Sequence, residues 1–248
     1  MSPTTHVIEV WGDFACFSRP ELKVERWSYP CPTPAAARGI FDAIYVKPPA
    51  PHKPPAFRWQ VRRIEVLSVP AYIALRRNEV KDVANVAAIE KWMTGAAEPE
   101  PIWADGDRET LGTDEKGRTQ RQTMALKNVR YRLYAEVRPW PGFEGESTAF
   151  DEQFRRRAEH GKCFQQPCFG AREFPAFFKL LNGERHKEPV PLDQDLGFML
   201  YDVFDLSRPG GAYDAPFISL FRAKLKKGVL EVPPFESTDV LKPEGEAA

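Results

Sequence analysis

The sequence of 248 residues predicts an α+β fold whose elements follow the order β-α-β-β-α-β. Three observations predict it. Thr33-Pro34 places an N-cap before a first-turn proline, which is the usual start of a helix. Residues 126–138 alternate apolar with polar side chains, as a half-buried strand does. Residues 57–69 alternate too, but their phase changes at Arg63, which predicts a bulge or bend. This order is the ferredoxin-like arrangement of RNA-recognition-type domains.

The remaining core elements follow from local patterns. His6–Trp11 alternates as a first strand, and Gly12-Asp13 predicts a turn after it. Apolar residues at helical spacing predict a second helix from about Phe150 to Glu159. Arg172–Leu181 predicts the last strand of the core, bent at Pro175.

Two parts of the chain fall outside this order. Residues 70–125 form a long insertion, and connections of that length usually carry structure or function of their own. Residues 197–205, 217–225 and 229–232 predict a small antiparallel appendage, with a hairpin turn at Lys226-Lys227-Gly228. We therefore expect a ferredoxin-like RNA-binding domain over 1–183, with its insertion at about 70–125. A small antiparallel β domain and a loose tail would occupy 184–248.

The composition is that of a soluble globular protein, with 42% hydrophobic and 28% charged residues. No apolar run is long enough to span a bilayer, and the N-terminus lacks the features of a signal peptide. Four cysteines are too few for a disulfide scaffold of this size. We therefore expect a cytoplasmic protein with no membrane partner.

The net charge of zero conceals strongly charged blocks. Residues 19–63 and 116–138 each carry a net charge of +6, and residues 152–187 carry +4. The insertion is acidic, with −7 over residues 82–115, and residues 188–248 carry −5. Such blocks are either solvated faces or surfaces that select a charged partner. We expect the acidic insertion to contact protein neighbours rather than RNA.

Motifs for metal or nucleotide chemistry are weak. Cys163 and Cys168 lack a second cysteine pair or a nearby histidine that would complete a zinc set, so packing cysteines is the favoured interpretation. The chain has no Walker-type phosphate loop and no Gly-x-Ser-x-Gly motif. We therefore expect no metal and no cofactor.

A nucleic-acid surface is better supported, because arginines and aromatic residues alternate on the two long strands. Arginine binds phosphate through two hydrogen bonds, and aromatic rings stack on unpaired bases. Core packing is the alternative for Trp59 and Tyr131, and a solvated sheet face is the alternative for the arginines. The interleaved residues are Arg58, Arg62, Arg63, Arg130, Arg132 and Arg138, with Trp11, Trp59, Tyr131 and Tyr134.

A ribonuclease that works without metal needs a base for the 2′-hydroxyl, an acid for the leaving 5′-oxygen and a cation for the phosphorane. Tyr45, at the end of the first helix beside Lys47, is a candidate for one of these roles. A tyrosine whose hydroxyl simply reaches solvent is an equal alternative. Of the four histidines, His160 with Lys162 forms the only pair near the expected basic face, and a surface role is favoured for each histidine.

Eight motifs point to a family, and the similarity to it runs in order from about residue 6 to 232. Val10-Trp-Gly-Asp-Phe-Ala-Cys-Phe-Ser-Arg-Pro-Glu-Leu-Lys-Val-Glu-Arg26 is the first. The others are Pro32-Thr-Pro-Ala-Ala-Ala-Arg-Gly-Ile40, Ala43-Ile-Tyr-Val-Lys-Pro48, Arg76-Arg-Asn-Glu79, Gln120-Arg-Gln122, Leu126-Lys-Asn-Val129, Phe154-Arg-Arg-Arg157 and Cys163-Phe-Gln-Gln-Pro-Cys-Phe-Gly-Ala-Arg-Glu-Phe-Pro175. Together they strongly resemble the CRISPR-associated fifth Cas family, in its Dvulg (type I-C) subtype.

This resemblance implies an RNA-recognition-type ferredoxin domain with an inserted hairpin and a small β appendage. It implies a subunit of the type I-C surveillance complex that grips the 5′ handle of guide RNA, and commonly a metal-independent nuclease for the precursor repeat. The family's proposed catalytic group is a tyrosine at the end of the first helix and a Lys-His pair before the second. Tyr45 matches the tyrosine, whereas Ala149-Phe150 replaces the pair.

We therefore expect a type I-C CRISPR antiviral defence protein that binds the repeat or 5′ handle and cleaves precursor guide RNA by 2′-hydroxyl attack. Lys47, His160 and Lys162 are candidates to replace the Lys-His pair. The alternative is a non-catalytic RNA-binding structural subunit, because Ala149 and Phe150 can neither accept a proton nor carry positive charge. A third, weaker hypothesis is a general nucleic-acid binder outside any CRISPR system.

The expected partners are guide RNA, its precursor repeat hairpin, and the backbone and large subunits of the surveillance complex. Duplex DNA, bound non-specifically, is a further candidate. The residues expected to bind RNA belong to the basic blocks and to basic motifs within the insertion. They are Arg19, Lys23, Arg26, Arg38, Arg58, Arg62, Arg76, Arg77, Arg121, Lys127, Arg130, Arg132, Arg155, Arg156 and Arg172.

Overall fold

The computed structural model describes residues 3–22, 24–47, 55–80, 85–99, 118–183, 187–210 and 214–243. In these ranges the chain is mixed α/β and dominated by an antiparallel sheet. The strands are β1 Thr5–Ala15, β2 Arg26–Trp27, β3 Phe57–Val66, β4 Ala71–Val80, β5 Arg118–Pro139, β6 Phe177–Leu180, β7 Gln194–Asp202, β8 Ser219–Lys226, β9 Val229–Glu231 and β10 Val240–Leu241. The α-helices are α1 Pro34–Ile44, α2 Val86–Met93 and α3 Ser147–Glu159. No helix in these ranges is long and apolar enough to cross a membrane.

The sheet is built around β5. Its path runs β10-β8-β9-β3-β5-β1-β6, while β2 and β4 also pair with β5 and β7 pairs with β8. The pairs of β5 with β1 and with β3 are both antiparallel. The β3–β5 register shifts between Val61 and Arg63, which confirms the bulge predicted from the change of phase.

The chain forms two compact units, one of residues 1–73 with 124–248 and one of residues 74–123. The second unit holds most of β4, all of α2 and the start of β5, and no residue of α2 is buried. The sequence pattern did not predict β4 or α2. The expected boundary near residue 184 stays a prediction.

Helix α1 begins as the sequence predicts. The Thr33 side chain accepts a hydrogen bond from the Ala36 backbone N–H at 3.1 Å, and Pro34 occupies the first turn. Helices α1 and α3 meet the sheet through aromatic contacts. The Trp59 ring lies 5.0 Å from Phe41 of α1 and 4.7 Å from Phe154 of α3, and it is fully buried. This aromatic core holds the last turn of α1 and the middle of α3 against β3.

Strand β5 divides its side chains between two faces, as the alternation predicts. The core face is buried, and core packing of Trp59 and Tyr131 is confirmed. The opposite face, called the open sheet face below, carries the non-core residues of β1, β3 and β5. The buried residues of β5 on the core face are Val129, Tyr131, Leu133, Ala135 and Val137.

The expected turn at Gly12-Asp13 is wrong, because β1 continues to Ala15. Gly12 is required by close packing instead. A Cβ atom at this position would lie 2.7 Å from the Pro175 carbonyl oxygen and 3.0 Å from the Phe169 ring. The expected strand over 172–181 is shorter than predicted, since only Phe177–Leu180 pairs with β1. Phe174 precedes it in a loop, where its carbonyl accepts a hydrogen bond from the Phe169 N–H at 2.8 Å.

The three strands expected after residue 183 are present with shifted bounds, as β7, β8 and β9. The hairpin turn between β8 and β9 lies where the sequence predicts it. Lys227 and Gly228 have φ angles of 49° and 75°, and positive φ at both central residues is typical of a tight type I′ hairpin turn.

Candidate functional site

Tyr45 is held at the C-terminal end of α1 by its backbone. Its N–H donates to the Phe41 carbonyl at 2.9 Å, and its carbonyl accepts from the Trp59 indole N–H at 3.0 Å. Its ring lies 5.5 Å from Phe57, and the residue is 5% exposed. The phenol is therefore positioned by the aromatic core.

The charges near the Tyr45 hydroxyl come from α3 and the turn before it. Burial raises the pKa of Tyr45, the nearby Arg157 guanidinium acts to lower it, and the Glu146 carboxylate acts to raise it. Because the pKa lies above its ordinary value, the phenol keeps its proton at neutral pH. In this state it can donate a hydrogen bond or a proton to an oxygen of a substrate.

Arg157 reaches back from α3 to the end of α1. Its Nε donates to the Ile44 carbonyl at 2.9 Å, and its guanidinium lies over the Phe164 ring at 4.7 Å. The Phe164 N–H in turn donates to the Ala43 carbonyl at 2.7 Å. A cation at this position is favoured by the negative end of the α1 dipole. Among the described residues, no hydrogen bond engages the two terminal amino groups of Arg157.

Lys47, shortly after α1, contacts the beginning of α3 and the residue before it. Its Nζ is 2.9 Å from Glu146 Oε2 and 5.2 Å from the centre of the Phe150 ring. Glu146 thus contacts Lys47 directly and acts electrostatically on Tyr45. The group of Tyr45, Lys47, Glu146 and Arg157 combines a phenol, two cations and a carboxylate, and is called the α1-end cluster below.

The structure does not join the other predicted catalytic residues to this cluster through side-chain bonds. His160 is exposed at the end of α3, with its Nδ1 2.7 Å from the Arg156 carbonyl. Lys162 is exposed, and its backbone N–H donates to the Arg157 carbonyl. Ala149 is exposed in the first turn of α3, whereas Phe150 is fully buried, 4.9 Å from the Phe57 ring. Position 150 is therefore a core position in this chain.

Sequence reasoning missed Arg157 and Glu146. A signal for Arg157 was present, because it follows the buried Phe150 and Phe154 at spacings of seven and three residues. These spacings place it near the buried stripe of α3, whereas its neighbours Arg155 and Arg156 are exposed. No comparable pattern marks Glu146, whose role depends on the path of the chain before α3.

The β5 arginines of the open sheet face are paired with carboxylates. Arg130 lies 2.8 Å from Glu9, and Arg138 lies 2.8 Å from Glu136. Arg132 is only 4% exposed and donates to Glu65 at 2.5 Å and to a backbone carbonyl at 2.7 Å. Since these acceptors occupy its terminal amino groups, we leave Arg132 out of the RNA-binding surface proposed below.

The β3 arginines are paired as well. Arg58 donates to Glu236, Arg62 lies 3.7 Å from Glu136, and Arg63 lies 2.7 Å from Glu231. The sheet face that the sequence predicts as basic therefore also carries glutamates, which come from the same and neighbouring strands and from a loop and lie among the arginines. Strand alternation places the arginines on one face but does not reveal what lies across the sheet.

Trp11 and Phe177 form an accessible aromatic pair on the open sheet face. Trp11 of β1 stacks on Phe177 of β6, with ring centroids 6.3 Å apart and an interplanar angle of 27°. The Arg130 guanidinium lies over the Trp11 ring at 5.4 Å, and Phe177 is 51% exposed. This group can stack an unpaired base and approach its phosphate.

The remaining predicted RNA contacts fall into distinct settings. Arg38 is fully engaged, because Nε and one terminal nitrogen donate to Asp202 and the other donates to Asp42. Arg19 and Arg26 form long ion pairs of 3.7 and 3.8 Å. Arg76, Arg77 and Arg121 belong to the unit of residues 74–123, and Lys23 lies outside the described residues. Lys127, Arg155, Arg156 and Arg172 are exposed.

Cys163 and Cys168 are half-buried and unbridged, and burial raises the pKa of the Cys168 thiol. In the part of the chain that the structure describes, no group of three His, Cys, Asp or Glu residues could hold a metal ion.

Comparison with known proteins identifies relatives along nearly the whole chain. The family model for Cas5d, described as CRISPR-associated protein (Cas_Cas5), matches residues 5–233. A protein of Mannheimia succiniciproducens named CRISPR pre-crRNA endoribonuclease Cas5d is 39% identical over 243 residues, covering 94% of this chain and 96% of its own length. A protein of the same name from Thermus thermophilus is 37% identical, covering 91% of this chain and 90% of its own.

The fold is also found among solved structures. A crystal structure described as a CRISPR-associated protein superposes with a TM-score of 0.60 at 18% identity, covering 96% of this chain and 97% of that one. The match at residues 5–233 and the two relatives agree with the family that the motifs indicate. The chain belongs to the Cas5d family of CRISPR-associated proteins, the type I-C branch of Cas5.

Proposed function

We propose that this chain is a type I-C CRISPR pre-crRNA endoribonuclease that binds precursor guide RNA and cleaves it at the repeat. The observation that carries the proposal is the 39% identity, over 94% of the chain, to a relative named for this activity. The α1-end cluster supports it, because Tyr45, Lys47, Glu146 and Arg157 supply the group types that RNA cleavage by 2′-hydroxyl attack requires.

The proposed core is ferredoxin-like, of the RNA-recognition type. In its support, β1, α1, β3, β5, α3 and β6 follow one another in the order β-α-β-β-α-β, and their strands lie side by side as β3-β5-β1-β6. We place this RNA-binding domain at residues 1–183, with its insertion at about 70–125, and the smaller β domain at 184–248.

The proposed reaction needs no group beyond the side chains of the α1-end cluster. The 2′-oxygen attacks the adjacent phosphorus as its proton passes to the Glu146 carboxylate. The bond to the 5′-oxygen breaks, and protonated Tyr45 gives its proton to that oxygen. Arg157 and Lys47 stabilise the negative charge of the phosphorane. The products are a 2′,3′-cyclic phosphate and a 5′-hydroxyl.

The proposed RNA contacts combine the cluster with accessible groups on the same unit. Trp11 and Phe177 would stack unpaired bases, and exposed Lys127 would approach the phosphates. His160 and Lys162 would contact RNA near the cleavage position. The proposed partners are the 5′ handle of guide RNA and the backbone and large subunits of a cytoplasmic surveillance complex, with duplex DNA as a weaker, non-specific ligand.

The test is incubation of the purified full-length chain with its cognate repeat hairpin in the presence of EDTA. We expect one discrete cut that leaves a 2′,3′-cyclic phosphate. Tyr45→Phe should lower the single-turnover rate at least about 100-fold with little change in RNA affinity, the range expected for loss of a general acid. Tyr72→Phe is the matched control, because Tyr72 donates to the Ser28 carbonyl outside the cluster.

The second candidate function is a non-catalytic RNA-binding subunit of the surveillance complex. Ala149 and Phe150 favour it, since they replace the Lys-His pair that the family resemblance implies. Wild-type protein that binds the repeat tightly and leaves it intact would establish this second function and contradict the first. A cut that persists unchanged in Tyr45→Phe would contradict the assignment of Tyr45.

A further inference from the structure

A basic cleft lies on the outer side of the C-terminal strands, separate from the α1-end cluster. Its volume is about 490 Å³, and five of its seven lining residues are cationic. The lining residues are Arg63, Arg222, Lys224, Lys226, Lys227, Val229 and Glu231. The net charge of −5 over residues 188–248 conceals this local concentration of positive charge.

The pleat of β8 produces the row of cations. Phe221, Ala223 and Leu225 are buried on one face, so Arg222, Lys224 and Lys226 all extend from the other. Alternate residues of an antiparallel strand are about 6.8 Å apart, so the three charges form an evenly spaced row. The tight turn after β8 places Lys227 beside the end of this row.

The carboxylates around the cleft neutralise only part of this charge. Asp195 lies 2.9 Å from Arg222 and 3.8 Å from Lys224. Arg63 lies 2.7 Å from Glu231 and 3.6 Å from Glu65. Among the described residues, the ammonium groups of Lys226 and Lys227 form no hydrogen bond or ion pair. The Lys227 backbone N–H donates to Asp193 at 2.8 Å, so four carboxylates lie near the five cations.

Aromatic side chains flank the row of cations. Phe198 of β7 is directly opposite Arg222 of β8, and residues directly opposite in an antiparallel pair share a face. The Phe198 side chain is exposed, at 54%. At the other end of the cleft the Arg63 guanidinium lies over the Tyr134 ring at 5.6 Å, which makes the cleft continuous with the open sheet face.

We propose that this cleft and Phe198 bind an unpaired segment of RNA that flanks the repeat hairpin. A row of cations follows a phosphate backbone, and an exposed ring beside it stacks a base whatever its sequence, which together form the usual single-strand binding surface. The inference rests on the proposed role in RNA binding but does not depend on cleavage. It extends the RNA path from the core sheet onto β7, β8 and β9.

The experiment compares the full-length wild type with the double variant Lys224→Gln/Lys226→Gln, called the cleft variant, in which both substituted residues are exposed. The control variant, Lys91→Gln/Lys242→Gln, removes the same amount of positive charge from residues that do not line the cleft. Two labelled RNAs are titrated over a range of salt concentrations: the repeat hairpin with single-stranded flanks, and the hairpin trimmed to its stem and loop. Fluorescence anisotropy gives each affinity, and the slope of log affinity against log salt counts phosphate contacts.

We expect the cleft variant to bind the flanked RNA about tenfold more weakly at low salt, with a salt slope smaller by about 1.4. Its affinity for the trimmed hairpin should equal that of the control. Equal affinity and equal salt slope for the flanked RNA in both variants would overturn the inference. A cleft variant that binds this RNA normally but no longer assembles with protein subunits would overturn it too, because the cleft would then bind protein. Wild type that binds neither RNA would overturn the proposed function itself, whereas binding and cleavage by an unaffected cleft variant would leave that function intact.

Discussion

At the scale of single residues, the α1-end cluster shows how residues distant in sequence position the Tyr45 phenol and change its pKa. The C-cap backbone of α1 and the Trp59 indole hold Tyr45, and burial keeps its pKa above the ordinary value. Arg157 comes from a helix more than 100 residues later, with its Nε bound to the Ile44 carbonyl. Because that bond uses only Nε, the rest of the guanidinium can face a substrate phosphate.

Removal of Arg157 should be reversible by an added cation. We expect Arg157→Gly to lower the single-turnover cleavage rate on the order of 100-fold, as for loss of one oxyanion donor. Added guanidinium ion should restore part of that rate, because it can occupy the vacated space between Phe164 and the end of α1. The measurement is the rate at saturating protein with increasing guanidinium, at concentrations below those that unfold the chain.

Arg156→Gly is the matched control for this prediction. It removes the same side chain and places the same glycine in the same turn of α3, but Arg156 is exposed and contacts Gln153. Because Arg156 is itself an expected RNA contact, the comparison is made at saturating protein, where weaker binding does not change the rate. We expect that rate to stay near that of wild type and not to respond to guanidinium. A folded Arg157→Gly protein that cleaves normally, or that guanidinium does not rescue, would contradict a direct role for Arg157.

At the scale of elements, a buried ion pair joins α1 to β7. Asp202 is 1% exposed and accepts two hydrogen bonds from Arg38, at 2.7 and 3.1 Å. It also accepts from the backbone N–H groups of Val203 and Phe204, which fix the chain after β7. The role of Arg38 in this structure is therefore to anchor the C-terminal strands, although the sequence predicts an RNA contact.

Breaking this pair should be costly. We expect Asp202→Ala to lower the free energy of unfolding by about 3–5 kcal/mol, because it leaves a guanidinium largely enclosed with a single remaining partner, Asp42. Chemical denaturation followed by circular dichroism measures the change. Arg208→Ala, which breaks surface ion pairs with Asp205 and Asp214, should leave stability nearly unchanged. If both variants lose a similar, small amount of unfolding free energy, the Arg38–Asp202 pair does not hold α1 to β7.

Elements with a strong local pattern were predictable, and elements defined by distant packing were not. Thr33-Pro34 marks the start of α1, and the alternation of β5 marks its core face, since both patterns depend on neighbours in sequence. The extension of β1 past Gly12 depends on the loop at Phe169 and Pro175, which approaches too closely for a Cβ atom. The same glycine is thus a turn signal in the sequence and a packing requirement in the structure.

At the scale of the whole molecule, the charges that sum to zero are distributed over the surface in two ways. On the open sheet face, arginines pair with glutamates from their own or neighbouring strands, so that this surface is close to neutral. At the α1-end cluster and the basic cleft, cations exceed the adjacent carboxylates. The positively charged surfaces are therefore smaller and more local than the sequence blocks predict.

Buried tyrosines make the stability of the chain sensitive to high pH. Burial raises the pKa of Tyr201 to about 12, and it raises the pKa of fully buried Tyr131 well above its ordinary value. Below pH 10 these phenols are neutral in both the folded and unfolded states, so their contribution is fully present. Above pH 10 the unfolded chain ionises first, and the free energy of unfolding falls as the pH rises towards 12.

Denaturant midpoints measured from neutral pH to pH 11 check this prediction. We expect the midpoint to fall above pH 10, and to fall less steeply in Tyr201→Phe, which removes one of the raised groups. The variant should also be less stable at neutral pH, because it loses hydrogen bonds with Gln60 and the Pro233 carbonyl. A midpoint that is constant up to pH 11 would contradict the assignment.

The sequence by itself determined the family, the start of α1, the two faces of β5 and the position of Tyr45, because each depends on residues close together in the chain. Only the tertiary structure decided which charged side chains lie close enough to form ion pairs. It pairs Arg132 with Glu65 and brings Arg157 to the end of α1, while Lys226 remains without a described partner at the basic cleft. Strand register and helix packing set the distances between side chains that are far apart in the sequence. Sequence periodicity predicts only the face of a helix or strand on which a side chain lies.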